Sequence, residues 1–275
     1  MTCYQWQKRI VALVATVLTC TSLCAADLSY APPLAPTNTS NVGDWTFSLA
    51  PYFWAASVDG QIGVRGREPV DVDVPFRDLF DHLRFGGMVV GEAQNGTFGI
   101  FGDLIYLKLN VDKSVTRTVA GVPLTLAAEV DTTSVIGTLM GEYRVVSEPT
   151  ATMDLMVGAR VWNVDNQLDL SLSVDGPPLA TLSGSDTKTW VDPMIGAKGR
   201  IDLSSSWYLT GWAMAGGFGA ASDFAWDVLA GVGYEWNQSF SVVGGYRALG
   251  VDYSSGGFDF DVTEYGPILG VVVKF

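Results

Sequence analysis

The stretch Trp226-Asp227-Val228-Leu229-Ala230-Gly231-Val232-Gly233-Tyr234-Glu235-Trp236 decides the fold. Trp226, Val228, Ala230, Val232, Tyr234 and Trp236 share one parity, and Asp227, Leu229, Gly231, Gly233 and Glu235 the other. A period of two belongs to a β-strand, whose successive side chains point to opposite faces. One face is then apolar with aromatics at both ends, and the other mixes acids with glycine. Eleven residues at ~3.3 Å each, tilted about 40°, cover the ~25 Å apolar band of an outer membrane. Globular strands average ~5–6 residues.

The same patterning recurs outward from this segment. Ten stretches carry it, near 45–62, 84–94, 97–110, 128–145, 151–170, 188–203, 206–218, 224–236, 239–252 and 262–275. In the fifth, Met153, Leu155, Val157, Ala159 and Val161 alternate with Asp154, Met156, Gly158, Arg160 and Trp162. In the sixth, Val191, Pro193, Ile195, Ala197, Gly199 and Ile201 alternate with Asp192, Met194, Gly196, Lys198, Arg200 and Asp202. Short turns (Asn95-Gly96, a strong hairpin signal; Ser147–Thr150; Ser204-Ser205; Asn237-Gln238) alternate with longer links at 63–83, 111–127, 171–187, 219–223 and 253–261. That order suits an up-and-down meander with tight turns at one end and loops at the other. Ten being even, both chain ends fall on the tight-turn side.

Composition agrees. The chain has 275 residues, 48% apolar but only 16% charged, with 31 glycines. Beyond the N-terminus no apolar run approaches the ~20 residues of a membrane helix, and an apolar fraction this high excludes disorder. Residues 1–26 read as a secretory signal peptide: Lys8 and Arg9, an apolar core over 10–19, and Cys24-Ala25-Ala26 before a cut at Asp27. Residues 27–44, rich in Pro, Thr and Asn, read as a flexible periplasmic leader. All three cysteines (Cys3, Cys20, Cys24) lie in the first segment, so no disulfide or thiolate site is expected beyond it. The net charge of −13 becomes −15 without Lys8 and Arg9, 14 bases against 29 acids. Such acidity argues against a nucleic-acid partner.

Alternation alone does not say which face is inside. A soluble barrel aims its apolar face inward and a membrane barrel outward. Strand length, aromatics at both ends of the apolar faces (Phe85, Phe98, Tyr106, Tyr143, Trp226, Tyr234, Trp236) and the mixed-charge opposite face select the membrane barrel. The lumen set is then Glu92, Asp103, Glu142, Asp154, Asp192, Asp202, Asp227, Glu235 and Glu264, against Arg84, Arg144, Arg160, Lys198, Arg200, Arg247 and Lys274. The chain ends Val271-Val272-Val273-Lys274-Phe275, which resembles the C-terminal signal of bacterial outer-membrane proteins.

Further residues carry a resemblance. Trp45 to Trp54 with Pro51-Tyr52-Phe53, Val72-Asp73-Val74-Pro75-Phe76 with Asp78-Leu79-Phe80, and Phe98-Gly99 with Gly102-Asp103 and Tyr106 look like a family of uncharacterised proteobacterial outer-membrane β-barrel proteins. The likeness is most specific over 45–110. It implies location and architecture, and no settled activity. It also implies outer-membrane lipids and lipopolysaccharide as surroundings, and recognition of the Phe275 strand by the barrel assembly machinery.

Few residues suggest chemistry. In Pro75–Leu83, the apolar residues Phe76, Leu79, Phe80 and Leu83 have helical spacing and Pro75 suits a first turn. A short helix in the first extracellular loop is expected, over the barrel mouth, at the membrane surface, or as a lid on the lumen. His82 is the sole histidine, so a His-dependent hydrolase would have to use it; no nucleophile motif accompanies it. One histidine and no cysteine beyond residue 26 do not make a metal site. Loop acids (Asp71, Asp73, Asp78, Asp81; Asp252, Asp259, Asp261) suggest at most cation bridges to lipopolysaccharide. Pro193 and Pro267 fall in strands, where bulges or local edges are expected.

The sequence therefore reads as an all-β, transmembrane, antiparallel up-and-down β-barrel over 45–275. Ten strands are favoured, with eight or twelve as alternatives, and the first should pair with the last. It is expected in the bacterial outer membrane as a monomer. No catalytic, cofactor-binding or metal-ligating residue is assigned and no cofactor is expected. Three roles stay open: a non-enzymatic envelope or surface-interaction protein, which is favoured; a narrow pore for small solutes; and a hydrolase using His82.

Overall fold

A computed structural model describes residues 45–63, 69–119, 122–174 and 178–275. The expected signal peptide and leader lie outside the described residues. The strands are β1 (Thr46–Trp54), β2 (Ser57–Gly63), β3 (Val70–Val74), β4 (Leu83–Gln94), β5 (Phe98–Val119), β6 (Val122–Glu148), β7 (Ala151–Val174), β8 (Pro178–Asp202), β9 (Trp207–Gly216), β10 (Phe224–Asn237), β11 (Phe240–Ser255) and β12 (Phe258–Lys274). One helix, α1 (Phe76–Asp81), precedes β4.

Each strand from β4 to β11 pairs antiparallel with its successor, and β1 pairs with both β4 and β12. The sheet is thus closed, as lipid requires of a spanning sheet. β1 and β2 form one wall strand, broken at Ala55-Ala56, with β2 continuing along β12 and β3 folded back on β2. The ring therefore has ten positions, β1/β2 and β4 to β12. First and last strands meet as expected, Ser48 opposite Lys274 and Trp54 opposite Ile268. Phe275 N donates to Phe47 O and the Phe275 ring stacks on Phe47.

The faces point as the membrane reading requires. Val157, Ile195 and Val232 are 65%, 53% and 44% exposed on the outside, while Arg160, Asp227 and Arg247 are fully buried within. Phe98 with Tyr143, and Trp207 with Tyr234 and Trp236, make the aromatic girdle at the tight-turn end. There Gly96 closes the β4–β5 hairpin at φ +92°, a left-handed conformation glycine adopts without strain. Asn95 Oδ1 accepts from the backbone of Thr97 and Phe98.

Two expectations need correction, the links and Arg84, and one, at the prolines, resolves to one of its alternatives. The links 111–127 and 171–187 are largely strand: β5–β6 pairing runs to Val119 opposite Val122, and β7–β8 pairing to Ser173 opposite Pro178. Four strands therefore continue well past the apolar band as one sheet, β5-β6-β7-β8. At Pro193 and Pro267 the local-edge alternative holds: their partners Ala159 and Tyr246 stay in register without a bulge, and each proline sits at a seam. β8–β9 pairing begins only at Met194, and β12 changes partner from β1 to β2 around Pro267. Arg84 is not in the lumen. It is the extra residue where the β4–β5 register shifts between Leu83 and Phe85, and it is exposed.

Candidate functional site

The lumen holds the dense chemistry, because alternation turns one side chain in two toward the axis from every wall strand. Four strands are bonded together at Arg247. From β11 its Nη2 donates to Asp103 Oδ2 of β5 at 2.6 Å and to Asp227 Oδ2 of β10 at 2.7 Å, while Nη1 donates to the Tyr52 hydroxyl of β1 at 2.7 Å. Tyr52 in turn donates to Asp103 Oδ1. Arg160 of β7 reaches Asp227 Oδ2 at 2.5 Å and donates through Nε to Thr138 Oγ1. Trp212 Nε1 completes Asp227 at 2.9 Å. The Arg247 guanidinium also faces the Trp54 and Trp212 rings, 5.1 and 5.3 Å from their centroids. Two guanidinium groups and two carboxylates thus balance in charge where water is scarce. Such a cluster is stable only when nearly every donor and acceptor is used. Glu264 Oε2 and Arg160 Nη1 are buried exceptions with no hydrogen-bond partner.

Toward the tight turns a second network opens to solvent. Lys198 Nζ lies 2.8 Å from Glu92 and 2.7 Å from Glu142, and Arg144 grips Asp154 through Nε and Nη2. Glu92, Glu142 and Asp154 converge closely enough to chelate, and they are the one such group among the described residues. The Lys198 ammonium occupies that convergence, so the arrangement is an ion-pair cage. Arg200 and Lys274 share Glu235 at the mouth. Every acid of the expected lumen set lines the interior, and so does every base except Arg84.

The loop-side half of the lumen is different. Trp190 stacks on Tyr253 at 4.1 Å between centroids and on Trp162 at 5.7 Å, with Phe258 and Phe260 beside them. The segment between β9 and β10 tucks in here. Ser222 donates through its backbone N–H and its hydroxyl to Asp192, and accepts from Trp190 Nε1. Parity in the fifth and sixth segments puts Met156, Trp162 and Met194 on the inward face, but sequence reading misses that Trp190, Tyr253, Phe258 and Phe260 join Trp162 in one layer and that Met140 and Met214 are buried as well. Period two separates the faces of a strand but does not flag a lumen position that is itself apolar.

His82 lies away from the lumen groups. It caps α1, and its Nδ1 is 2.7 Å from the carbonyl oxygen of Asp78. α1 packs on the outer wall, where the Phe76 ring meets outward-facing Phe53 edge-on and the Phe76 N–H donates to Ser57 Oγ. The helix therefore lies against the outside of the wall, and no residue of α1 is buried.

No protein-family model matches the chain, and no curated protein matches its sequence. Solved structures do. The outer membrane protease OmpT from Escherichia coli is 12% identical, with a TM-score of 0.52 over 86% of this chain and 100% of that one. The translocator domain of autotransporter NalP from Neisseria meningitidis is 13% identical (TM-score 0.41, 98% and 95% covered). Ail, the attachment invasion locus protein of Yersinia pestis, is 11% identical (TM-score 0.32, 84% and 98% covered). The chain has the fold of bacterial outer-membrane β-barrel proteins.

Proposed function

We propose that the chain is an integral protein of the bacterial outer membrane whose lumen is shut and whose role is played at the cell surface, through the sheet formed by β5 to β8 and the neighbouring loops. The observation carrying this reading is the Arg247 cluster. Side chains from β1, β5, β7, β10 and β11 bond to one another across the axis, so a passing solute would have to break buried ion pairs. The stacked Trp162, Trp190 and Tyr253 lie above it as a second obstruction. In the aromatic layer the Ser222 hydroxyl does meet the Asp192 carboxylate, but both are fully buried and Ser222 also accepts from Trp190 Nε1; His82 is on the outer wall, and no catalytic role is proposed.

Planar-bilayer recording on the full chain tests the reading. Repeated insertions should give no unitary steps above background. Reproducible steps from the unsubstituted protein would overturn it in favour of a narrow pore.

A further inference from the structure

We propose that the outer end of β4 is a docking site for the phosphorylated headgroup of an outer-leaflet glycolipid, held by Arg84 and Lys108.

The wall is incomplete here. The β1–β4 ladder ends at Pro51 opposite Val89, and Pro51 has no N–H to extend it. Above that point β4 pairs only with β5, so its other backbone edge, over 83–88, has no strand partner among the described residues. α1 bridges this opening on the outside, tied to β1 by Phe76 against Phe53 and to β5 by Asn110 N donating to His82 O.

The height is that of lipid headgroups. Lys108 lies ten residues along β5 from Phe98, itself in the girdle of the opposite interface. Ten residues at ~3.3 Å, tilted about 40°, rise ~25 Å, the apolar thickness. Just below, the Phe85 and Tyr106 rings meet edge-on at 5.7 Å on the lipid face, as interfacial aromatics do.

The charges are unspent. Each lumen base (Arg144, Arg160, Lys198, Arg200, Arg247 and Lys274) holds a carboxylate. Arg84, in the bulge, and Lys108, opposite Phe85, are exposed and make no ion pair among the described residues. On a chain of net charge −13, two adjacent unpaired cations at headgroup height fit an anion. Arginine and lysine both bind phosphate through charge-assisted hydrogen bonds. The outer leaflet at this height is built of phosphorylated glycolipid. Asp78 and Asp81 on α1 are nearby acids that would oppose the anion, so the site should respond in both directions to charge.

The test is titration of the full chain, folded in detergent micelles, with hexa-acylated bis-phosphorylated lipid A, read by native mass spectrometry. One lipid should bind per barrel. R84Q/K108Q should weaken it about twenty-five-fold, from roughly a fivefold loss per base at a lipid surface. D78N/D81N should leave it equal or tighter, and K188Q unchanged. Heat-modifiable gel mobility confirms that each variant is folded. Equal binding by R84Q/K108Q, or by lipid A stripped of its phosphates, would overturn the site. Equal binding of phosphatidylglycerol would overturn the glycolipid assignment.

Discussion

Arg247 on β11 and Asp103 on β5 are joined at 2.6 Å across the lumen, although β12, β1 and β4 stand between their strands in the wall. The pair holds opposite sides of the ring together independently of the ladder. Arg247→Ala would leave Asp103 a buried carboxylate without a cation, leave Asp227 with Arg160 and Trp212 alone, and deprive the Tyr52 hydroxyl of its donor. Breaking a buried pair from one side costs ~3–5 kcal/mol. R247A should lower the heat-modifiability midpoint markedly, and D103N on top of it, which leaves Arg160 and Asp227 as a balanced pair, should recover part of the loss. Failure of the double variant to recover would mean that Arg247 acts through packing against Trp54 and Trp212 rather than through charge.

Glu264 should respond in the opposite sense. The carboxylates of Asp103 and Asp227 already neutralise the two guanidinium groups, and Glu264 Oε2 has no hydrogen-bond donor. An unsatisfied buried polar group costs ~1–3 kcal/mol, more when charged. Glu264→Gln keeps the shape and removes the surplus charge, so urea unfolding from vesicles should show a gain in stability. A loss would show that Glu264 is held by interactions reaching beyond that orphaned oxygen.

The sequence disclosed the wall better than the contents. Val157, Ile195 and Val232 could be placed outside because long period-two runs ended in aromatics, and the lumen acids followed from parity. The contacts Arg247–Asp103 and Arg160–Asp227 could not be read, since which strands face each other across a ring depends on closure and tilt. Arg84 was misplaced because the bulge after Leu83 breaks the parity that assigned it. Residues 171–187 read as a link because their Ser, Gly and Asp content resembles turn chemistry, yet the ladder from β7 holds β8 over Thr181–Thr187. Trp190, Tyr253 and Ser222 are distant in sequence, and only the fold brings them together.

The outer rim carries a built-in repulsion. Asp252 on β11 stands directly opposite Asp261 on β12. Partial burial raises the Asp252 pKa above its ordinary value of 3.8, with Asp261, Asp223 and Asp259 adding to it; burial likewise raises Asp261. A carboxyl with a raised folded-state pKa binds its proton more tightly when folded. The destabilisation is therefore absent below the ordinary value, grows as pH rises, and is complete above the raised one. Asp252→Asn should raise the melting point at pH 7, with the difference from the parent chain vanishing near about pH 3. A difference that does not change with pH would assign the effect to packing.

The outward aim of the apolar faces has the most direct energetic test. Val157 and Ile195 are cross-strand partners in the middle of the lipid face, and Asp154 and Arg160 on the same strand point inward. An arginine on the lipid face costs ~2–4 kcal/mol near the bilayer midplane and almost nothing outside it. Val157→Arg should therefore lower the folding free energy in vesicles by about that amount. Ser183→Arg lies on the same outward parity, but on the part of β8 beyond the membrane. It should change stability by less than about 0.5 kcal/mol, as surface substitutions usually do. Equal effects at the two positions would mean that Val157 does not meet acyl chains.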